Sequence, residues 1–147
     1  MEEPSVMVVD EHARDRQSLA AALANVGFKV CTSPDGLHAV ICILHDPPDY
    51  LLVNDAIGGV DPVTMCEMLR KDRRTATCRI VLLVHANSHA CLQRCRALGL
   101  RMLLKGPHFV EDAVLTLVAL ANGRFGAGRP RVQRAPAALP VGSRRSG

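Results

Sequence analysis

Polar side chains that can do chemistry follow several of the short apolar runs in this chain. They are Asp10 and Glu11, then Asn54 and Asp55, then His85, and finally Lys105. Carboxylate oxygens are the ligands that hard cations such as Mg²⁺ prefer, and an ammonium is a point charge that binds anionic groups. If the fold brings the ends of these runs together, the chemistry of the protein is to be sought at that edge.

Apolar runs alternate with helical patterns through the first 122 residues. The predicted strands are 5–9, 28–32, 50–53, 80–84 and 102–104, and the predicted helices are 13–26, 37–45, a segment from Pro62, 88–98 and 110–121. In the third helix, Met65, Met68 and Leu69 are predicted to face the core. Strict alternation of strands and helices predicts a parallel sheet with helices on both faces. Five units in about 120 residues fit the α/β, flavodoxin-like doubly wound plan, (βα)5, whose sites form at the carboxyl ends of the strands.

The last 25 residues differ in composition from the rest of the chain. Residues 123–147 consist largely of Gly, Pro, Ala, Ser and Arg, and carry six arginines and no acid. The preceding part has 12 Lys and Arg residues against 14 Asp and Glu residues, so it is mildly acidic although the whole chain carries +4. This predicts one folded domain, 1–122, and a disordered tail, 123–147. It argues against a basic fold built to bind nucleic acid.

The sequence predicts a cytoplasmic protein that does not enter a membrane. No apolar run approaches the roughly 18 residues needed to span a bilayer, and the acidic N-terminus lacks the features of a secretory signal. The six cysteines are then expected to stay reduced. They show no Cys-x-x-Cys spacing, so a zinc site is not predicted.

Several short motifs, each present once, follow one another along residues 5–122. They are Val8-Val9-Asp10-Glu11, Gly27-Phe28, Pro34-Asp35-Gly36, Pro48-Asp49, and Gly59 with Asp61. Each is weak alone, but in this order and at this spacing they resemble the receiver domain of bacterial response regulators. The resemblance covers the predicted domain and leaves out the tail.

The resemblance implies a phosphorylation site at the strand ends. In that family two acids after the first strand hold Mg²⁺, and an aspartate ending the third strand takes a phosphoryl group from a histidine kinase. A Thr or Ser after the fourth strand and a Lys after the fifth contact that group, and an aromatic residue on the fifth strand reports the state to a partner. Phosphoryl transfer needs the nucleophile, the metal and the cation in register.

This chain departs from the family at the phosphoacceptor. Counting six residues on from Pro48, or seven back from Asp61, gives Asn54 at that position. An amide forms no acyl phosphate, and it removes one negative charge from the metal site. No cofactor is therefore expected, and only weak Mg²⁺ binding at Asp10 and Glu11 stays open. Asp55 could replace the acceptor only through a shifted register, because neighbouring strand residues point to opposite faces.

Other parts of the family's switch are also altered. Val84 stands where Thr or Ser belongs, and it cannot hydrogen-bond a phosphoryl group. The lysine position falls on either Lys105 or Gly106, and both alternatives stay open because strand ends are poorly placed by sequence. Met102 and Leu103 occupy the candidate positions of the strand-five aromatic. The pattern resembles the atypical, or pseudo-receiver, branch, which keeps the fold as a docking surface.

We therefore expect a stand-alone atypical receiver that signals through phosphorylation-independent protein contact. The partner would be a histidine kinase or a transcription regulator, and a homodimer stays open. The family's contact face corresponds to 88–98, 102–104 and 110–121. Two alternatives remain: a phosphorelay regulator that uses Asp55, and an adaptor that contacts nucleic acid through the Arg-rich tail. An enzyme is not predicted, because no nucleophile–base pair, nucleophile elbow or phosphate-binding loop is present.

Overall fold

The computed structural model describes residues 3–85 and 89–123, with only the backbone at 89–91. The strands are β1 (Ser5–Val9), β2 (Lys29–Ser33), β3 (Tyr50–Asn54), β4 (Arg79–Val84) and β5 (Arg101–Leu104). The helices are α1 (Ala13–Asn25), α2 (Gly36–His45), α3 (Pro62–Lys71), α4 (His89–Ala97) and α5 (Phe109–Ala121). Within these ranges, no helix is long and apolar enough to cross a membrane.

The strands form one parallel sheet in the order β2-β1-β3-β4-β5. This confirms the predicted flavodoxin-like doubly wound sheet with a helix after each strand. The order reverses between β1 and β3, and ligand crevices in such sheets open at this switch point. Val9 pairs with Val53, and Val84 pairs with Leu104. The residues that follow these strands therefore emerge at one edge of the sheet.

Each face of the sheet packs against its own layer of helices. The cluster on one face contains Met7, Val9, Leu51, Val53, Leu82 and Val84 from the strands and is covered by α2, α3 and α4. The cluster on the other face contains Val6, Val8, Leu52 and Leu83 and is covered by α1 and α5. Burying one such side chain contributes about 1.5–3 kcal/mol. Since both faces are buried, the central strands read as continuous apolar runs.

Helix starts follow from capping residues in the sequence. The Asp61 carboxylate accepts hydrogen bonds from the backbone N–H and the hydroxyl of Thr64, both at 2.9 Å, and Pro62 occupies the first position of α3. Asp35 caps α2 by accepting the N–H of His38 at 2.8 Å. A carboxylate at the cap satisfies donors that have no partner inside the helix, and proline fits the first turn because its missing N–H is not needed there.

Two sequence expectations need correction. Met68 is 49% exposed rather than in the core, because it lies about 60° to one side of Met65 on the helix whereas the buried Cys66 and Leu69 lie on the other side. β2 begins one residue later than predicted, after Phe28, whose ring instead contacts that of Tyr50 edge-on at 5.9 Å between centroids.

The remaining predicted boundaries agree with the structure to one residue. Position 88, where the fourth helix was predicted to begin, falls outside the described residues. So does the predicted tail beyond Gly123.

Candidate functional site

Asp10, the residue after β1, is the centre of the site. It is 1% exposed, and its Oδ1 accepts the backbone N–H of His12 at 2.9 Å. Its Oδ2 accepts both the Asn54 amide nitrogen at 3.0 Å and the Lys105 ammonium at 3.1 Å. A buried carboxylate is stable only when it is paired and hydrogen-bonded. Asp10 meets this requirement with three donors.

Asn54 ends β3 and is buried. Its Nδ2 donates to Asp10, and its Oδ1 accepts the backbone N–H of Ala56 at 3.0 Å. The two contacts define the orientation of the amide, because only its nitrogen can donate to a carboxylate. The side chain predicted at the acceptor position thus lies at the switch point between β1 and β3.

Lys105 follows β5 and supplies the positive charge of the site. Its side chain is 7% exposed, and its Nζ lies 2.8 Å from Asp15 Oδ2 as well as 3.1 Å from Asp10. The same Nζ lies 4.9 Å from the centre of the Phe109 ring. Burial lowers the pKa of Lys105, but the hydrogen bonds to Asp15 and Asp10 outweigh it, so its pKa is raised above the ordinary value. The ammonium therefore stays charged near neutral pH.

Asp55 faces a different neighbour. Its backbone N–H donates to the Leu83 carbonyl at 2.8 Å. Its Oδ1 lies 2.6 Å from His85 Nδ1, and its Oδ2 accepts the His85 N–H at 3.2 Å. The side chains of Asn54 and Asp55 thus diverge, as expected of adjacent strand residues. The contacts of Asp55 join the ends of β3 and β4 rather than the Asp10 cluster.

The other predicted positions lie at the rim or in the core. Glu11 is exposed beside the site. Val84 is buried among apolar side chains, and only its carbonyl reaches the site region, where it accepts the Lys105 N–H at 2.7 Å. Met102 and Leu103 are half-buried and pack on opposite faces of the sheet. The fold therefore assembles Asp10, Asn54 and Lys105, and it leaves the other predicted residues apart.

Comparisons with known proteins agree with this architecture. No family model matches the chain. A probable chemotaxis protein CheY of Rhizobium etli is 26% identical over 127 residues, which cover 86% of this chain and 95% of that protein. The response regulator PleD of Caulobacter vibrioides is 31% identical over 78 residues, which cover 53% of this chain but only 17% of PleD. The match thus spans less than a fifth of that longer regulator.

Solved structures share the fold. The chemotaxis response regulator CheY4 of Vibrio cholerae superposes with a TM-score of 0.72 at 22% identity and covers 78% of this chain and 96% of its own. A two-component response regulator of Clostridium difficile gives 0.73 at 18% identity, over 84% of this chain and all of its own. The chain shares the fold of these response regulators, and the homologues and structural neighbours found for it are receiver domains of that type. Receiver domains are signalling modules, and response regulators act with histidine kinases and with effector proteins.

The receiver resemblance assigned no role to Asp15, which sequence reasoning missed. It lies in the first turn of α1, one helical turn after Glu11, where acids are common because they favour the helix dipole. That common reading hid its contact with Lys105. Its position could have indicated the contact, because a side chain in the first turn of α1 can reach back over the end of β1.

Receiver domains typically bind Mg²⁺ at this edge, so the fit of the present residues to such an ion matters. In the part of the chain that the structure describes, no three His, Cys, Asp or Glu residues lie close enough to hold a metal. Both oxygens of Asp10 already accept hydrogen bonds, and one of them accepts the Lys105 ammonium. The arrangement as it stands does not fit a divalent cation, which would have to displace that ammonium.

Proposed function

We propose that this receiver domain signals through protein contact and is not phosphorylated at the acceptor position, which we assign to Asn54. The observation that carries the proposal is the hydrogen bond from Asn54 Nδ2 to Asp10. The bond supports this assignment, because the family's mechanism needs a carboxylate nucleophile beside the first acid, and the side chain in contact with Asp10 here is an amide. The contact between Lys105 and Asp10 supports assigning Lys105, rather than Gly106, to the lysine position.

The other switch positions support the same proposal. We assign Val84 to the Thr or Ser position, and its side chain is apolar and buried. Met102 and Leu103 stand at the aromatic positions and pack against the two core clusters. None of the three side chains can hydrogen-bond a phosphoryl group or rotate an aromatic ring between two environments. We therefore propose that the domain presents one constant surface.

That surface is proposed to be the face formed by α4, β5 and α5, and the partner a histidine kinase or a transcription regulator. Two large apolar side chains on these elements are exposed, Leu104 on β5 and Leu115 on α5, the latter by 69%. Covering such side chains removes apolar surface from water, which favours association. A second copy of the chain is the alternative occupant of this face. We place the protein in the cytoplasm, in keeping with the free thiols of its described cysteines.

The test is intact-mass measurement after incubation with acetyl phosphate and Mg²⁺. We expect no mass increase in the native chain. A matched variant, Asn54→Asp, adds the missing carboxylate to the same scaffold. An increase in that variant alone would assign the lost reactivity to one side chain.

A phosphoryl group gained by the native chain would contradict the proposal. If that gain disappeared in Asp55→Ala, the phosphorelay alternative would be correct. The contacts of Asp55 argue against it, because both oxygens of its carboxylate are bound to His85, whereas Lys105 is bound to Asp10 and Asp15.

A further inference from the structure

Two carboxylates from different elements converge on one ammonium at the edge of the sheet. Asp10 follows β1, and Asp15 lies in the first turn of α1. Their Oδ2 atoms lie 3.1 Å and 2.8 Å from Lys105 Nζ. Mg²⁺ is commonly held in proteins by one or two carboxylates together with water molecules. Here the positive charge belongs to the chain itself.

The surroundings of the ammonium limit its freedom to leave. The Lys105 side chain is nearly buried, and its Nζ lies over the Phe109 ring. Its backbone N–H is bound to the Val84 carbonyl, so the base of the side chain is fixed to β4. If the ammonium moved away, the Asp10 carboxylate would stay buried without a countercharge, which is strongly unfavourable.

We propose that the Lys105 ammonium takes the place of a divalent cation in this domain, with Asp15 as the residue that positions it. The inference deepens the proposed function and rests on it, because a site that is not phosphorylated needs no metal for that reaction. The edge of the sheet then keeps one arrangement whatever the Mg²⁺ concentration. Lys105 also joins the end of β5 to α1 through Asp15, across the switch point.

Metal uptake by the full chain tests the proposal directly. Free Mn²⁺ is followed by its electron paramagnetic resonance signal in the native chain, in Lys105→Met and in Lys71→Met. Lys71 is an exposed lysine of α3, so its variant controls for the loss of one positive charge. We expect no uptake by the native chain at millimolar Mn²⁺. We expect Lys105→Met to take up Mn²⁺ at concentrations roughly tenfold or more lower, because no ammonium beside Asp10 and Asp15 then repels the metal.

Adding Asp10→Asn to Lys105→Met should abolish the new Mn²⁺ site. Uptake by the native chain that Asp10→Asn removes would overturn the proposal. So would a gain in Lys105→Met no larger than that in Lys71→Met.

A second measurement uses the native chain and does not depend on the folding of a charge variant. A buried, hydrogen-bonded lysine ammonium exchanges protons slowly and gives a ¹H–¹⁵N signal of its own. The chain has three lysines, so the Lys105 signal is the one that survives in both Lys29→Arg and Lys71→Arg. We expect this signal in the native chain, unchanged by millimolar Mg²⁺ and lost in Asp15→Asn.

Absence of the Lys105 signal, or its displacement by Mg²⁺, would overturn the inference. Neither measurement involves a phosphoryl donor or a partner protein. A failure here is therefore distinct from a failure of the proposed function, which the mass measurement decides.

Discussion

An amide at the end of β3 changes what the neighbouring carboxylate can do. The amide of Asn54 donates a hydrogen bond to Asp10, whereas a carboxylate at the same place would repel the Asp10 carboxylate. With the amide present, one ammonium is enough to stabilise Asp10. The side chains at positions 10, 54 and 105 are therefore compatible in charge, and each of their polar atoms has a hydrogen-bond partner.

The buried ion pair makes a prediction about stability. Lys105→Met should lower the free energy of unfolding by about 3 kcal/mol, because it leaves Asp10 buried without a countercharge. Adding Asp10→Asn should recover much of that loss, since the neutral amide needs no cation. Urea denaturation measures both variants, with Lys71→Met as the control. Equal costs for Lys105→Met and Lys71→Met would show that the pair contributes nothing.

Cysteine reactivity tests the packing of individual side chains. Burial raises the pKa of Cys66 and of Cys78 to about 12. Partial burial of its thiol raises the pKa of Cys31 as well, but Cys31 is exposed. Because the thiolate is the reactive form, we expect Cys66 and Cys78 to resist iodoacetamide at neutral pH and Cys31 to react before them. Peptide mass mapping after a timed reaction identifies the order. Modification of Cys66 as fast as that of Cys31 would contradict the buried packing of α3.

Sequence reasoning located part of the site and missed the rest for a physical reason. Asp10 and Asn54 were identified because both end apolar strands, and the chain order defines that edge. Lys105 and Gly106 could not be separated, because a shift of one residue at a strand end reverses the direction of a side chain. The role of Asp15 was not predicted, because its partner Lys105 is distant along the chain and only the fold brings the two side chains together.

At the scale of elements, periodicity and capping residues located the helices and strands. Apolar strands between Pro, Gly and Asp residues gave clear limits, and Asp61 before Pro62 marked the start of α3. The failure at Met68 shows what periodicity leaves out. A helix whose apolar stripe is wider than its contact with the sheet keeps one side of that stripe exposed, and the contact width depends on neighbouring helices.

The cap of α3 carries a pH-dependent contribution to stability. The backbone hydrogen bond from Thr64 lowers the pKa of Asp61 below its ordinary value. A carboxyl group with a lowered pKa stabilises the fold above its unfolded pKa, about 3.9, and this contribution is lost as the pH falls through the folded pKa. Asp61→Ala should therefore cost about 1 kcal/mol at neutral pH and less in acid.

Urea denaturation of native chain and Asp61→Ala at several pH values measures this difference. Asp61→Asn is the matched control, because the amide oxygen keeps an acceptor at the cap without the charge. A cost of Asp61→Ala that stays constant from neutral pH into the acid range would contradict the cap's ionic contribution.

At the scale of the whole molecule, the domain is a sheet enclosed by two layers of helices. The described residues form two apolar clusters, one on each face of the sheet. We expect a chain truncated after Gly123 to keep the urea midpoint of the full chain, because residues 124–147 are too polar to add to either cluster. A loss of more than about 1 kcal/mol, which is large for a surface change, would show that the tail packs on the domain.

The parallel pairing of every strand has a consequence for synthesis of the protein. β1 pairs with β2 and β3 but never through a tight hairpin, so its neighbours must arrive from later parts of the chain. Sheets built from such distant pairs form slowly. Asp10 leaves the ribosome early, whereas Lys105 leaves only after all five strands have been made. During translation Asp10 therefore has no ammonium to pair with until the end of β5 has been made.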